Sequence, residues 1–357
     1  MSGARSAPIA INARAALRDD VGGVERVTRE LVARLPARAP NRYRVVAPPR
    51  ALAHRAGHAW EQLALPVLAR DAELLFSPAN AVPIASRRNA VVVHDLAPLV
   101  EPDWYGRAYG AWHRALLRAT ARRAQLAIAP SELVRDQLTE LLGMPADRVV
   151  AIPWGVDPAF HATPDPAPLR RRLGLDRRPY VLAVGTAIAR KNLGLLDAIA
   201  PTLAAAAGLD IAIAGGGRAY MRAGGVGPSP AGNSGAAARR LGYVAAADLP
   251  ALYAGAAAFA LPSLYEGFGL PCLEAMAAGT PVVTTTRGAL PETCADAALY
   301  ADPDDPAAFA TACVAAATDP ATRERLVAAG RERAAAFTWD RTAERVNDAL
   351  GARLPLP

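Results

Sequence analysis

Lysine is nearly missing from this chain of 357 residues: of its 40 lysines and arginines only one, Lys191, is a lysine. Where positive charge alone is needed the two residues interchange. A background that turns lysine into arginine therefore marks position 191 as a place wanting a compact ammonium on a flexible stem rather than a planar fork. Survival by drift is the plain alternative. Cysteine is scarce too. Cys272, Cys294 and Cys313 are odd in number, far apart and outside any CxxC arrangement, which excludes a disulfide scaffold and a zinc ribbon and fits a reducing compartment. No zinc-finger spacing and no basic block interleaved with aromatics occurs, so a nucleic-acid partner is not expected. His54 and His58 have helical i, i+4 spacing but no evident third ligand, and no metal or other cofactor is expected. Long apolar runs are absent as well. The start lacks a signal-peptide core, and the Ala-rich stretch 195–214 is broken by Asp197, Pro201 and Asp210. A cytoplasmic protein, soluble or peripheral at a membrane, is the expectation.

What is present is enough apolar material for sizeable cores, with 52% hydrophobic and 20% charged residues. A formal charge of +7 points to a negatively charged ligand or surface. Short β-rich runs alternate with longer Ala/Leu/Arg helical patterns in both halves, which predicts an α/β fold with parallel sheets. In the first half, strands read at 43–47, 73–77, 90–94, 126–130 and 148–152, with helices over 24–35, near 107–124 and over 131–143. Ser131 is placed to cap the last of these and Gly143 to end it. The proline-rich stretch 153–179 marks a boundary. Strands then read at 180–185, 209–215, 240–244, 256–261, 281–285 and 298–302, and a terminal helix lies within 337–354. Two doubly wound domains in tandem, 1–157 and 158–338, are expected to leave a cleft between them, with ligands at the carboxyl ends of strands. The segment 339–357 is expected to pack back on the first domain.

The chemistry should therefore lie in the loops after strands. Gly22 and Gly23 precede a helix and expose backbone amides where an anion can approach, although a plain turn reads as well. The strand "AVVVH" delivers His94 and Asp95 at its carboxyl end, as ligand contacts or as a satisfied structural pair. "VLAVGTAIARKNLGLL" places Arg190 and Lys191 in a loop or first helical turn. Cations there are disfavoured by the helix dipole unless they share an anion with the helix end, which argues for a bound phosphate. In "LPSLYEGFGLPCLEAMAAGTPVV" (261–283), Glu266 lies in a loop and Glu274 early in a helix ended by Gly279. Gly267 and Gly269 between them leave backbone amides open.

"GGVERV" (22–27), "HD" (94–95), "VGT" followed by "RKN" (190–192), "LGYV" (241–244), "EGFGLPCLE" (266–274) and a closing "FTW" (337–339) together resemble the retaining glycosyltransferases of family 4. The likeness runs from about residue 20 to residue 345 and rests on order and spacing more than on any single motif. It implies the GT-B architecture, two Rossmann-like domains facing each other across a cleft, with an acceptor-side first domain and a nucleotide-sugar-binding second. It implies that Glu274 takes the ribose hydroxyls and that Val244 meets the base through its backbone. Arg190 and Lys191 would neutralise the diphosphate with help from Gly22 and Gly23. Glu266, with the amides of Phe268, Gly269 and Leu270, would hold the donor sugar, His94 would face its C6 side, and Asp95 would lie toward the acceptor. One departure stands out: many members carry arginine directly after the strand glycine, where this chain has Thr186.

The implied reaction moves a hexosyl group, mannose from GDP-mannose by the "VGT…RKN" variant, to a glycan or lipid-linked acceptor. Rhamnosyl or glucosyl transfer from a dTDP or UDP donor is the alternative. A non-catalytic sugar-nucleotide-binding module and a pyridoxal-phosphate phosphorylase are rivals from other classes. The segment 101–123 sets Trp104, Tyr105, Tyr109 and Trp112 ahead of Arg114, Arg118, Arg122 and Arg123. It reads as an ordinary helix with a solvated basic face or, less readily, as a seat on an anionic membrane.

Overall fold

A computed structural model describes residues 8–18, 22–53, 56–162, 164–216 and 238–354. The chain divides into two compact units: Met1–Pro102, Arg107–Gly155 and Trp339–Pro357 form the first, and Asp103–Gly106 with Val156–Thr338 the second.

The first unit is built on β1 (Ile9–Asn12), β2 (Tyr43–Val46), β3 (Leu74–Ser77), β4 (Asn89–Val92), β5 (Ala124–Ala129) and β6 (Val149–Ala151), ordered β2-β1-β3-β4-β5-β6 and parallel throughout. β1, β3 and β4 are buried at every position, as strands covered on both faces must be. Of the six, β1 escapes a reading of the sequence. Four residues, "IAIN", do not stand out from an Ala-rich background. Helix Glu132–Leu142 begins where expected, with Ser131 Oγ accepting from the Val134 amide at 3.2 Å, and Gly143 ends it at φ 65°.

The second unit carries β7 (Tyr180–Val184), β8 (Asp210–Ala214), β9 (Arg239–Gly242), β10 (Ala258–Leu261), β11 (Val282–Thr284) and β12 (Ala298–Tyr300). Their order, β12-β11-β10-β7-β8-β9, is again all parallel and is the doubly wound arrangement of the Rossmann fold. Helices Leu193–Ala207 and Pro306–Thr318 cover the sheet through Leu196, Ile199, Leu203, Phe309 and Cys313.

The terminal helix Trp339–Gly351 belongs to the first unit. Trp339 is fully buried, Asp340 pairs with Arg34, and Glu344 pairs with Arg38 at 2.6 Å. Asn347 accepts from Arg42 and from the Tyr43 hydroxyl at 3.0 and 2.9 Å. Among the described residues no helix is long and apolar enough to cross a membrane.

Candidate active site

In a doubly wound sheet the order reverses between two strands, and loops leaving their carboxyl ends part there to form a crevice. In the second unit those strands are β7 and β10. Their loops meet around one carboxylate. The loop after β7 passes Gly185, makes a 3-10 turn at Ala189–Lys191, and enters helix Leu193–Ala207 through Asn192 at φ 49°. The stem of Lys191 folds back over Gly185: a Cβ there would stand 3.3 Å from Lys191 Cε. The loop after β10 is held to it by the Leu264 amide, which donates to the Arg190 carbonyl at 2.8 Å.

Glu266 sits where the two loops join. Lys191 Nζ donates to its Oε1 at 2.5 Å, Ser263 Oγ donates to the same oxygen at 2.7 Å, and Arg190 Nη1 donates to Oε2 at 2.8 Å. Arg190 also donates to the Tyr265 carbonyl at 3.1 Å. A third loop backs the carboxylate from β11. Gly288, at φ +63°, lies so close that a Cβ would fall 2.5 and 2.6 Å from the carbonyl oxygen and amide nitrogen of Glu266. The Ala289 amide then donates to that carbonyl at 2.9 Å. Glu266 is 5% exposed and Lys191 7%, so this is a buried ion cluster with one net positive charge. Burial alone would push the Glu266 carboxyl up, but the charges of Lys191 and Arg190 and the bonds from Lys191 and Ser263 outweigh it and hold the group at about 2. Burial also lowers the Lys191 ammonium from the ordinary lysine value, opposed by Glu266 and assisted by Arg190.

The second carboxylate stands apart in kind. Gly269, at φ +102°, starts helix Leu270–Ala277, and Glu274 is mid-helix and buried. Tyr253 Oη donates to its Oε2 at 2.9 Å, and the Tyr253 carbonyl accepts from Thr280 Oγ1 at 2.7 Å. Phe268 and Leu270 are buried, with the Phe268 ring edge-on to Phe337 at 6.0 Å and its carbonyl accepting from Thr293 Oγ1 at 2.5 Å. Val244 is half-buried just beyond β9, whose Gly242 carbonyl accepts from the Gly215 amide at 2.7 Å.

In the first unit the order reverses between β1 and β3. The loop after β1 leads to helix Gly23–Arg38, and here the structure departs from the expectation of two open glycine amides. The Gly22 amide donates to Glu25 Oε2 at 3.0 Å, because a glutamate at the third helical position reaches back to the cap. Arg18 holds the other oxygen of Glu25 at 3.2 Å. Gly23 has open space where a Cβ would point. Past β4, His94 is buried, and its Nε2 donates to the Pro78 carbonyl at 3.0 Å. The His94 amide donates to Asn80 Oδ1 at 2.7 Å, and the ring lies 5.7 Å from Trp154. Burial lowers the His94 pKa below the ordinary histidine value, against the Pro78 bond and the charges of Asp95 and Glu25. A neutral ring with its Nε2 proton committed follows. Asp95 is half-buried and caps the Ala97 amide at 3.1 Å.

Ser263, Tyr253, Gly288, Asn80 and Pro78 complete these arrangements without any signal in the sequence. Each acts through a single contact set by the fold. His54 lies outside the described residues. His58 Nδ1 is 3.3 Å from Glu61 Oε2, and Glu61 is otherwise bound to Arg14 and Asn12, both at 2.8 Å. No group of three or more His, Cys, Asp or Glu side chains that could hold a metal gathers among the described residues. Of the four aromatics in 101–123 only Trp112 is exposed. Tyr105 is buried, and Tyr109 stacks on His113 at 4.1 Å.

Two family models match the chain: Glycosyl transferases group 1 over residues 178–319 and Glycosyltransferase Family 4 over residues 87–160. The O-antigen chain mannosyltransferase B of Escherichia coli is 31% identical over 274 residues, covering 72% of this chain and 69% of that protein. A D-inositol 3-phosphate glycosyltransferase of Salinispora arenicola is 40% identical over 106 residues, 29% of this chain and 24% of that one. The matches to the inositol glycosyltransferases span about half of those proteins or less. The solved structure of Anabaena HepE in complex with UDP and glucose shares the fold, with a TM-score of 0.72 at 16% identity over 97% of this chain and 100% of that one. Its two parallel sheets with flanking helices are the GT-B architecture. By these matches the chain belongs to glycosyltransferase family 4, the group 1 glycosyltransferases, and is an enzyme of that class.

Proposed function

We propose that the chain transfers a mannosyl group from GDP-mannose to a glycan or lipid-linked acceptor at the cytoplasmic side of a membrane, with the donor held mainly by the second unit and no cofactor beyond the two substrates. The observation that carries this reading is the buried Lys191–Arg190–Glu266 cluster at the ends of β7 and β10. The likeness to the O-antigen chain mannosyltransferase B of Escherichia coli supports mannose and a polysaccharide product.

Breaking the bond from the anomeric carbon to the β-phosphate oxygen leaves an oxocarbenium-like sugar and a nucleoside diphosphate gaining charge. Lys191 and Arg190 take that charge, a preorganised electrostatic contribution of the kind that often dominates catalysis. The acceptor oxygen forms the new bond on the same face, and its proton leaves with the diphosphate. Glu266, ionised at any working pH, is no proton donor. Its Oε1 already accepts two hydrogen bonds and its Oε2 one, so Oε2 has room for one hydroxyl, that of the donor sugar. Glu274 takes the ribose hydroxyls and the backbone at Val244 meets the base.

Nucleoside diphosphate release from GDP-mannose, UDP-glucose and dTDP-rhamnose, read beside thermal shifts with GDP, UDP and dTDP, tests the proposal. GDP-mannose should turn over fastest and GDP should stabilise most. Preference for another donor overturns the mannose reading. Absence of turnover and of stabilisation with all of them overturns the transferase mechanism at this cluster.

A further inference from the structure

The amino edge of the first sheet carries a basic cavity that the donor chemistry leaves unused. In a parallel sheet all strand starts share one edge, opposite the carboxyl ends that lead to His94. β4, β5 and β6 are neighbours, and arginines stand just ahead of each: Arg87 before β4, Arg122 and Arg123 before β5, Arg148 before β6. Arg353, beyond the terminal helix, reaches the same place and donates to the Asp147 carbonyl. These five arginines, with Ala124, Gln125 and Asp147, line an open cavity of about 480 Å³.

Asp147 is the one carboxylate in that lining. None of the five arginines makes an ion pair with a carboxylate among the described residues. Elsewhere in the same unit arginines do pair: Arg38 with Glu344 and Arg44 with Asp71, both at 2.6 Å, and Arg135 with Asp136 at 2.9 Å. Like charges gathered around a hollow repel one another, and a bound anion reverses the sign of that interaction. The planar guanidinium fork matches phosphate oxygens two at a time, and the volume suits a small ligand. Helix Arg107–Arg123 ends in the cavity and exposes Trp112 and Arg118 along the way.

We propose that this cavity binds a phosphate-bearing anion of at least two negative charges, either an anionic lipid headgroup or a free phosphate compound, at a site separate from that of the donor. The inference does not depend on which sugar the enzyme transfers. The double variant Arg123→Gln/Arg148→Gln is compared with Arg38→Gln/Arg135→Gln, which loses the same charge elsewhere, and circular dichroism confirms that both fold. Pyrophosphate binding is read by titration calorimetry, and vesicle binding by sedimentation with phosphatidylglycerol–phosphatidylcholine mixtures. Any pyrophosphate signal from the donor cluster is common to all variants. The cavity pair should lose roughly 30-fold in one arm, as removing two arginines near an anionic surface would give, while the comparison pair changes little. Loss confined to vesicles assigns the headgroup, and loss confined to pyrophosphate assigns a soluble ligand. Unchanged binding in both arms, or an equal loss in the comparison pair, overturns the site.

Discussion

Replacing Lys191 by arginine, the residue this chain uses at every other basic position, asks whether the ammonium is needed for its shape. The side chain is 7% exposed and its Cε lies 3.3 Å from where a Gly185 Cβ would stand. A larger head has no room without displacing its neighbours, at a cost of about 1–3 kcal/mol. A two-pronged bond from an arginine there would take the place on Glu266 Oε2, beside the Arg190 bond at 2.8 Å, that the donor sugar's hydroxyl needs. Lys191→Met keeps the stem and removes the charge. Loss of one donor to a developing anion costs roughly 10²–10³-fold in turnover elsewhere, and that loss is expected here. Lys191→Arg should lose about 10²-fold in kcat/KM, since a displacement of about 1 Å at the reacting centre has that effect. Its Tm should fall by roughly 2–10 °C, as 1–3 kcal/mol gives in a unit of this size. Nucleoside diphosphate release under steady state and a thermal melt supply both numbers. Lys191→Arg with kcat/KM within about threefold of the parent and an unchanged Tm would refute the reasoning, and the lone lysine would be an accident of drift.

Gly288→Ala places a methyl 2.5 Å from the Glu266 carbonyl oxygen at a φ of +63°, so kcat should fall at least tenfold and the melt should drop, with Gly288→Ser no better; wild-type kinetics would separate this loop from Glu266. If Glu274 takes the ribose hydroxyls as proposed, Glu274→Ala should mainly raise the donor KM, because such contacts form before the chemistry, and Tyr253→Phe should do the same more weakly by removing the bond that orients the carboxylate at 2.9 Å; an effect confined to kcat would argue against the role. Glu266 is held at about 2 against an ordinary 4.5, so its ionised form adds stability above about pH 4.5 that is lost as pH falls toward 2, on the order of 3 kcal/mol. Acid melts of the parent and Glu266→Gln should therefore differ in slope in that window, and parallel curves would contradict the assignment. Burial lowers the pKa of His94, so below an ordinary value near 6.5 the unfolded chain binds a proton that the folded chain refuses; His94→Asn should be less sensitive to that fall in pH, as melts between pH 7 and 5 will show.

Eleven of the twelve strands among the described residues could be read from the sequence, since buried β-branched runs such as "AVVVH" and "YVLAV" stand out wherever both faces of a strand are covered. β1 could not, because "IAIN" is four residues long in a chain full of alanine. The carboxylates and cations of the site were legible because their types carry chemistry. What the sequence left dark was the set of contacts between distant loops. Ser263 looks like any serine until its hydroxyl is seen 2.7 Å from Glu266, and nothing in "TRGAL" marks Gly288 as the backing of a carboxylate. The glycine pair misled for a related reason. Glu25 lies three residues on in the helix, and its carboxylate turns back onto the Gly22 amide. A reading of spacing supplies donors; it does not say which acceptor in the same chain reaches them first.

The pairing of Lys191 with Glu266 bears on how the leaving group is stabilised. An ammonium left alone in a site this buried would tend to shed its proton, since desolvation already lowers its pKa. The short contact to Glu266 keeps it charged and fixes its position before any substrate arrives. A diphosphate entering the site would then meet cations already charged and oriented, without the reorganisation that solvated side chains require. Arg190, Lys191 and the carboxylate they share sum to one positive charge, which favours an incoming anion while Glu266 remains bound. Removing Glu266 alone should accordingly harm catalysis in two ways, by losing the sugar contact proposed for it and by leaving two like charges to repel each other in a buried place. Glu266→Gln should then cost more than Ser263→Ala, which removes one neutral hydrogen bond and leaves the charges balanced.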